Sequence, residues 1–300
     1  MDASNQILCD DFPALYRAAD KSSVAAQRQF VLLTSVELSL MILAAIVGAF
    51  VLSDTSIKTI LAIASAVLLT AGICVTIISR ITKPERMWYD GRAIAESVKT
   101  LAWQYMTGSG QYPITEGTKC DEIFISRLHS LLLERKTFAA RLGSQYNRDQ
   151  QITEKMRKAR NLSAYERKRL YLSERIDEQR QWYSRKTITN QKSASRLFML
   201  TITSQFLAII FAFTLGVWQE STIQLTGVFT TLATAFMAWT QMRRNEELAQ
   251  SYGLATQELI FIYEQSAQVN TEEELSNYVL NSENAISREH TMWLARGSQG

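Results

Sequence analysis

The apolar positions of this chain fall into two blocks, roughly residues 30–80 and 197–240, set between long polar stretches. Residues 30–52, FVLLTSVELSLMILAAIVGAFVL, are apolar over the length needed to cross a bilayer core, with one charge, Glu37. Residues 59–79, TILAIASAVLLTAGICVTIIS, repeat this without a charge. The connection Ser53-Asp54-Thr55-Ser56-Ile57-Lys58 is so short that the two helices it joins must be antiparallel neighbours. The second block has the same design: residues 197–218, a brief Gln219-Glu220-Ser221 turn, then residues 222–240. The last of these runs is Thr-rich and the weakest, and a buried core helix is its other reading. The pattern predicts an all-α membrane protein, with four transmembrane helices as two hairpins and a cytoplasmic helical bundle.

The polar stretches also read as helices. Trp88, Ala95, Val98, Leu101, Ala102 and Tyr105 recur at three- and four-residue steps, which predicts a helix over 86–105 that continues the second span. Gly108-Ser109-Gly110 and Pro113 end it. A further helix is expected from Asp121 to Leu142, with Ile125, Leu128, Leu132 and Leu133 on one stripe, and a loose polar connection over 143–161. Ser163 and Glu166 have capping-box spacing and open a long helix toward the third span; Thr271 and Glu274 open a C-terminal helix ending near Arg296. Between them a helix from Met242 to Gln268 carries Leu248, Leu254, Leu259 and Ile262.

Charge placement orients the hairpins. Arg28, Arg80, Lys83, Arg86, Lys186, Lys192, Arg196, Arg243 and Arg244 flank the spans on one side, whereas the turns carry only Lys58, offset by Asp54 and Glu220. The positive-inside bias then puts both termini and the central region in the cytoplasm. The hairpins also read as a repeat. Arg28, Phe30, Glu37 and Gly48 correspond at one constant offset to Arg196, Phe198, Gln205 and Gly216, and Gly91, Ala93 and Glu96 correspond at a second offset to Gly253, Ala255 and Glu258.

Composition adds little chemistry. Only 3 prolines and 12 glycines interrupt the 300 residues, which favours helix throughout. A net charge of +3 gives no case for nucleic acid. The cysteines Cys9, Cys74 and Cys120 have neither disulfide nor metal spacing, and no companion stands at i+3 or i+4 from His129 or His290. No P-loop, dinucleotide fingerprint or serine elbow is present, so an enzyme is not expected and no cofactor is expected. The first apolar run begins too late for a cleavable signal peptide and reads as a retained span. The basic run Arg157, Lys158, Arg160, Arg167, Lys168 and Arg169 is interleaved with acids and Gln and reads as a solvated face.

The informative residues lie inside the spans. An ionised Glu37 facing lipid would cost several kcal/mol, on the order of the penalty for any charge at mid-bilayer. Glu37 and its repeat counterpart Gln205, with Thr34, Thr201, Ser204, Thr230 and Thr234, therefore either border a polar path through the membrane or bond between helices. Gly48 and Gly216 mark places of close helix approach, a hinge, or simple tolerance of glycine in a membrane helix.

The segment Tyr171-Leu-Ser-Glu-Arg-Ile-Asp-Glu-Gln-Arg-Gln-Trp-Tyr-Ser-Arg-Lys-Thr ahead of the second hairpin resembles the opening of SLATT domains. So does the tail Glu283-Asn-Ala-Ile-Ser-Arg-Glu289-His-Thr-Met-Trp293. The first hairpin, with Trp88, Arg92, Ala95-Glu96 and Trp103 after it, is similar to a second, divergent member. The chain then divides into a first hairpin with flanking helices (1–112), a helical connector (113–162) and a second hairpin with flanking helices (163–300). The resemblance implies a bacterial conflict-system effector in the inner membrane that assembles as a homo-oligomer and permeabilises the bilayer. A nucleotide second messenger or a cytoplasmic sensor protein would be its trigger. Trp88, Arg92, Glu96, Trp103, Trp182, Tyr183, Glu283, Glu289 and Trp293 are the candidates for cytoplasmic packing and coupling. The alternative is a non-conducting membrane scaffold that recruits a cytoplasmic partner.

Overall fold

The computed structural model describes residues 7–50, 54–142, 150–217 and 223–297, with backbone alone for 215–217 and 288–297. The described residues are almost entirely helical. They comprise α1 (Ala14–Gly48), α2 (Thr55–Thr82), α3 (Pro84–Thr107), α4 (Gly117–Glu134), α5 (Lys136–Leu142) and α6 (Glu154–Arg160). Then follow α7 (Ala164–Tyr171), a π-helical segment Leu172–Asp177, α8 (Glu178–Val217), α9 (Leu225–Arg243), α10 (Asn245–Gln265) and α11 (Glu272–Gly297). The Gln219-Glu220-Ser221 turn lies outside the described residues.

Two compact units emerge, and neither is a continuous piece of chain. One comprises Met1–Gln27, Glu85–Arg185 and Ser251–Gly300; the other comprises Arg28–Pro84 and Lys186–Gln250.

The first unit is an ordinary water-type core. Phe12, Leu15, Val98, Trp103, Phe124, Phe138, Tyr171, Ile176, Leu259 and Val279 are all buried in one cluster. Two of its helices start at the capping boxes the sequence shows. Ser163 Oγ accepts from Glu166 N at 3.3 Å while Glu166 Oε2 accepts from Ser163 N at 3.0 Å. Thr271 and Glu274 make the same reciprocal pair at 3.2 and 3.0 Å. Helix α3 ends at Gly108, whose φ of +77° is a left-handed conformation that glycine adopts without strain.

Three expectations fail here. The helix expected from Asp121 starts earlier, at Gly117, and breaks at Arg135. Of its expected stripe, Leu128 is buried and Leu132 packs partly buried against the core, whereas Ile125 and Leu133 are exposed; the buried line runs through Cys120, Phe124 and Leu128. The expected loose connection contains α6, capped by Thr153 and burying Met156, Ala159 and Arg160. The basic run is not all solvated. Arg160 and Arg167 are buried because the C-terminal carbonyls of α3 need donors: Arg160 Nη1 donates to Tyr105 O and Tyr112 O at 2.6 and 2.9 Å, and Arg167 Nη1 donates to Thr107 O at 2.5 Å.

The second unit is packed the other way round. Its buried residues are small ones such as Ala44, Gly72, Ser204, Ala233 and Ala235, while large apolar side chains stand outward. Ile60, Ile81, Phe198, Ile209 and Phe213 are each at least 63% exposed. In water such a surface would aggregate; in hydrocarbon it is the expected one, since small residues let helix backbones approach and lipid covers the rest. Among the described residues, three helical stretches are long and apolar enough to cross a membrane: Ala14–Gly48, Thr55–Thr107 (α2 with α3) and Ala164–Thr214 (α7, the π segment and α8). Helix α9, interrupted by Thr226, Thr230, Thr231, Thr234 and Thr240, is not among them. Both second helices of the hairpins end on a basic residue at φ +46°, Lys83 after α2 and Arg244 after α9. Helix α3 therefore follows α2 after a left-handed break and does not simply continue it.

Candidate functional site

Within the second unit the hydroxyl-bearing positions predicted to line a path are satisfied locally. Thr34 Oγ1 donates to Phe30 O at 3.1 Å, Thr201 Oγ1 to Leu197 O at 2.9 Å and Ser204 Oγ to Leu200 O at 2.8 Å. Thr230 and Thr234 do the same to Thr226 O and Thr230 O at 2.8 and 3.0 Å. A Ser or Thr hydroxyl in hydrocarbon commonly uses the carbonyl one turn back in this way. Glu37 is different. Its Oε1 accepts from Thr76 Oγ1 of α2 at 2.7 Å, a partner the sequence did not single out. Below it Ser65 Oγ donates to Ala44 O at 3.1 Å, a second bond between α1 and α2. Gly48 has room for a side chain, since an added Cβ would meet only Ser65 Oγ at 3.8 Å. Gly216 lies in α8, where the surroundings of its Cα fall outside the described side chains. Gln205 is exposed, among exposed Ile202, Phe206 and Ile209.

The first unit brings four of the nine predicted coupling residues into one polar assembly, centred on the Glu283 carboxylate. Glu283 of α11 is fully buried. Arg175, in the π-helical segment, meets it with two parallel bonds, Nε to Oε1 at 2.9 Å and Nη2 to Oε2 at 2.8 Å. Tyr171 Oη donates to Oε1 at 3.0 Å and Thr100 Oγ1 to Oε2 at 2.7 Å. Four donors from α3, α7 and the π segment thus converge on one carboxylate, two on each of its oxygens. Burial works against the Arg175 charge, but the Glu283 carboxylate outweighs it and holds the guanidinium pKa above its ordinary value.

The polar cluster extends along α3. Arg92 Nη2 pairs with Glu96 at 2.6 Å and Arg92 Nη1 with Asp20 of α1 at 3.6 Å. Lys99, the next charge along α3, lies 5.8 Å over the Phe12 ring. Burial pushes its pKa down, and the charge of Arg175 pushes it further, against Glu96 and Glu178. Trp103 is buried beside Tyr171, ring centroids 5.6 Å apart. Arg92, Glu96, Trp103 and Glu283 therefore belong to one assembly, as one set of candidates. Trp182 and Tyr183 belong to another, an aromatic group with Tyr252 at 5.3 and 5.4 Å. Trp88 stacks on Tyr89 at 4.9 Å, and its carbonyl accepts from Ser23 Oγ at 3.1 Å. The side chains of Glu289 and Trp293 lie outside the described residues.

A family model described as SMODS and SLOG-associating 2TM effector domain 3 matches residues 13–168. Another, described as SMODS and SLOG-associating 2TM effector domain 1, matches residues 171–293. The chain belongs to the SLATT family. Neither the curated proteins nor the solved structures include a match. The two SLATT domains stand in tandem, and each contributes one hairpin to the second unit and helices to the first. Glu283 is a second-domain residue held in part by Thr100 of the first.

Sequence reasoning missed Thr76, Thr100, Tyr171 and Arg175. Tyr171 and Arg175 stood within the SLATT-like opening segment, but a single Arg in a run of alternating charges carries no sign that it is buried. What marks it in three dimensions is the π-helical turn: i→i+5 bonding fits an extra residue into the helix there, and such bulges recur at functional positions.

Proposed function

We propose that this tandem SLATT protein is a self-assembling effector of a bacterial antiviral or conflict system, seated in the inner membrane, that makes the bilayer permeable when activated. The observation that carries the reading is the Glu37 carboxylate in an otherwise apolar span, held by one hydroxyl of α2. A carboxylate retained at that depth is costly unless it meets water or a partner, and a wet path between assembled copies supplies both. In this reading α9 is the fourth span, threonine-rich because it packs against neighbours more than against lipid. The basic flanks keep both termini in the cytoplasm. The first unit is then cytoplasmic and takes the trigger, a nucleotide second messenger or a sensor protein. A trigger shifts the assembly only through different affinity for its closed and open states. No catalytic step and no nucleic acid enter the mechanism.

One observation favours the second reading, a non-conducting scaffold: the threonines and Ser204 bond to their own helices and need no water. Membrane potential separates the two. Induction of the full chain with its natural genomic neighbours, followed by a potential-sensitive dye, should depolarise cells within minutes of triggering. Glu37→Ala at equal membrane abundance should slow or abolish this. Cells that stay polarised under every trigger, with insertion verified, would leave the scaffold standing.

A further inference from the structure

Gln205 stands out once the two SLATT hairpins are compared. Its counterpart Glu37 is met by Thr76 across the first hairpin at 2.7 Å. The offset that aligns Gly91 with Gly253 puts Ala238 at the place of Thr76, and a methyl group donates nothing. Among the described residues Gln205 has no hydrogen-bond partner, and its side chain is exposed. Lipid tails offer an amide nothing, and an unpaired amide in hydrocarbon is strongly disfavoured.

The face that carries it is regular. Phe198, Ile202, Gln205, Ile209 and Ala212 follow one another at steps of four, three, four and three residues, and all are exposed. That is the seam along which two helices pack with a left-handed crossing, and a single polar residue in such a seam fixes register and partner number. The stretch rises about 21 Å, most of a bilayer core. A second copy of the chain inserted in the same direction presents the same amide at the same depth. A primary amide both donates and accepts, so two of them bond reciprocally across a two-fold axis along the membrane normal.

We propose that this seam of α8 is a contact between two copies of the chain, closed by the Gln205 side chains pairing with each other. The inference rests on the self-assembly reading above and names the face that performs it.

Cysteine cross-linking of the full chain in bacterial membranes tests it. In a background with Cys9, Cys74 and Cys120 replaced by serine, single substitutions Phe198→Cys, Ile202→Cys and Ile209→Cys should give disulfide-linked dimers on mild oxidation. Leu207→Cys and Phe211→Cys, on the opposite side of α8, should not. With the Ile209→Cys reporter, Gln205→Leu should weaken self-association by roughly 5- to 30-fold, the equivalent of an interhelical hydrogen bond of about 1–2 kcal/mol, and Gln205→Asn should recover part of it. Native electrophoresis of the wild type provides the independent readout. Multimers on the native gel without seam cross-links would overturn this interface and leave self-assembly standing. Seam cross-links to a different protein would overturn the pairing of identical copies. A wild type that stays monomeric would overturn both this interface and the self-assembly reading.

Discussion

At the scale of single residues, the structure concentrates its risk in the pair Arg175 and Glu283, both almost wholly buried. Removing one partner strands the other's charge, which costs about 3–5 kcal/mol, whereas replacing both with apolar residues of similar volume is often close to neutral. Glu283→Ala should therefore lower the melting temperature of the detergent-purified protein more than the double variant Glu283→Leu with Arg175→Met does. Thermal denaturation of the two single variants and the double closes the cycle. If the double variant is as unstable as the sum of the singles, the two groups are not coupled as the geometry implies. The same scale shows the limit of reading residues from sequence. Glu37 was legible because one charge in an apolar run is conspicuous. Its partner Thr76 was not, because a threonine in a membrane helix is ordinary and only the α1–α2 register selects it. Glu283 came into view through the family-like tail, but nothing local distinguished Arg175 from the exposed arginines near it.

At the scale of elements, the apolar helices of the first three spans and the starts at Ser163 and Thr271 were legible because their causes are local: apolar length and capping boxes. Element faces were not. The expected stripe of α4 held Leu128 and Leu132 but set Ile125 and Leu133 with them, whereas the helix turns Cys120 and Phe124 inward against the aromatic group of Tyr105 and Tyr112, with Phe124 at 5.0 and 5.9 Å. The short α6 escaped notice because Met156 and Ala159 are its only apolar residues among five charged ones, and its place is set by the loop beyond α3. Arg160 ties the two together through three carbonyls, the third being Pro113 O at 2.8 Å, and lies over the Tyr105 ring at 4.8 Å. A planar guanidinium reaches three oxygens at once, and a lysine ammonium does not. Arg160→Lys should thus cost about 2 kcal/mol, on the scale of one hydrogen bond to a charged group. Hydrogen exchange over 104–113 should quicken by roughly 30-fold while exchange in α11 changes little. Unchanged exchange over 104–113 would mean that the arginine only fills space.

At the scale of the molecule, the sequence suggested two hairpin domains in series with a helical connector between them; the family matches, 13–168 and 171–293, also run in series, whereas the compact units interleave. The first unit draws on the start of α1, on α3 to α7 and on α10 and α11, so its core mixes residues of both SLATT domains. Sequence periodicity finds helices and repeats; it does not report which helices share a core, because that depends on contacts between distant segments. The interleaving has a consequence for folding. Expressed alone, residues 1–169 leave Thr100 without its carboxylate partner and expose the apolar faces that α10 and α11 cover, while residues 170–300 retain Arg175 with Glu283 and lack the α3 wall beside them. Each half should enter the membrane through its own hairpin, yet be cut rapidly by protease in its polar helices. Co-expressed, the halves should protect one another and purify together through a tag on either one. The comparison is sharpened by Glu283→Ala in the second half, which removes the bonds to Thr100 and Arg175 together and should weaken recovery of the tagged first half. Two halves that resist protease separately and fail to copurify would mean that each SLATT domain folds on its own, with the mixed core a secondary contact.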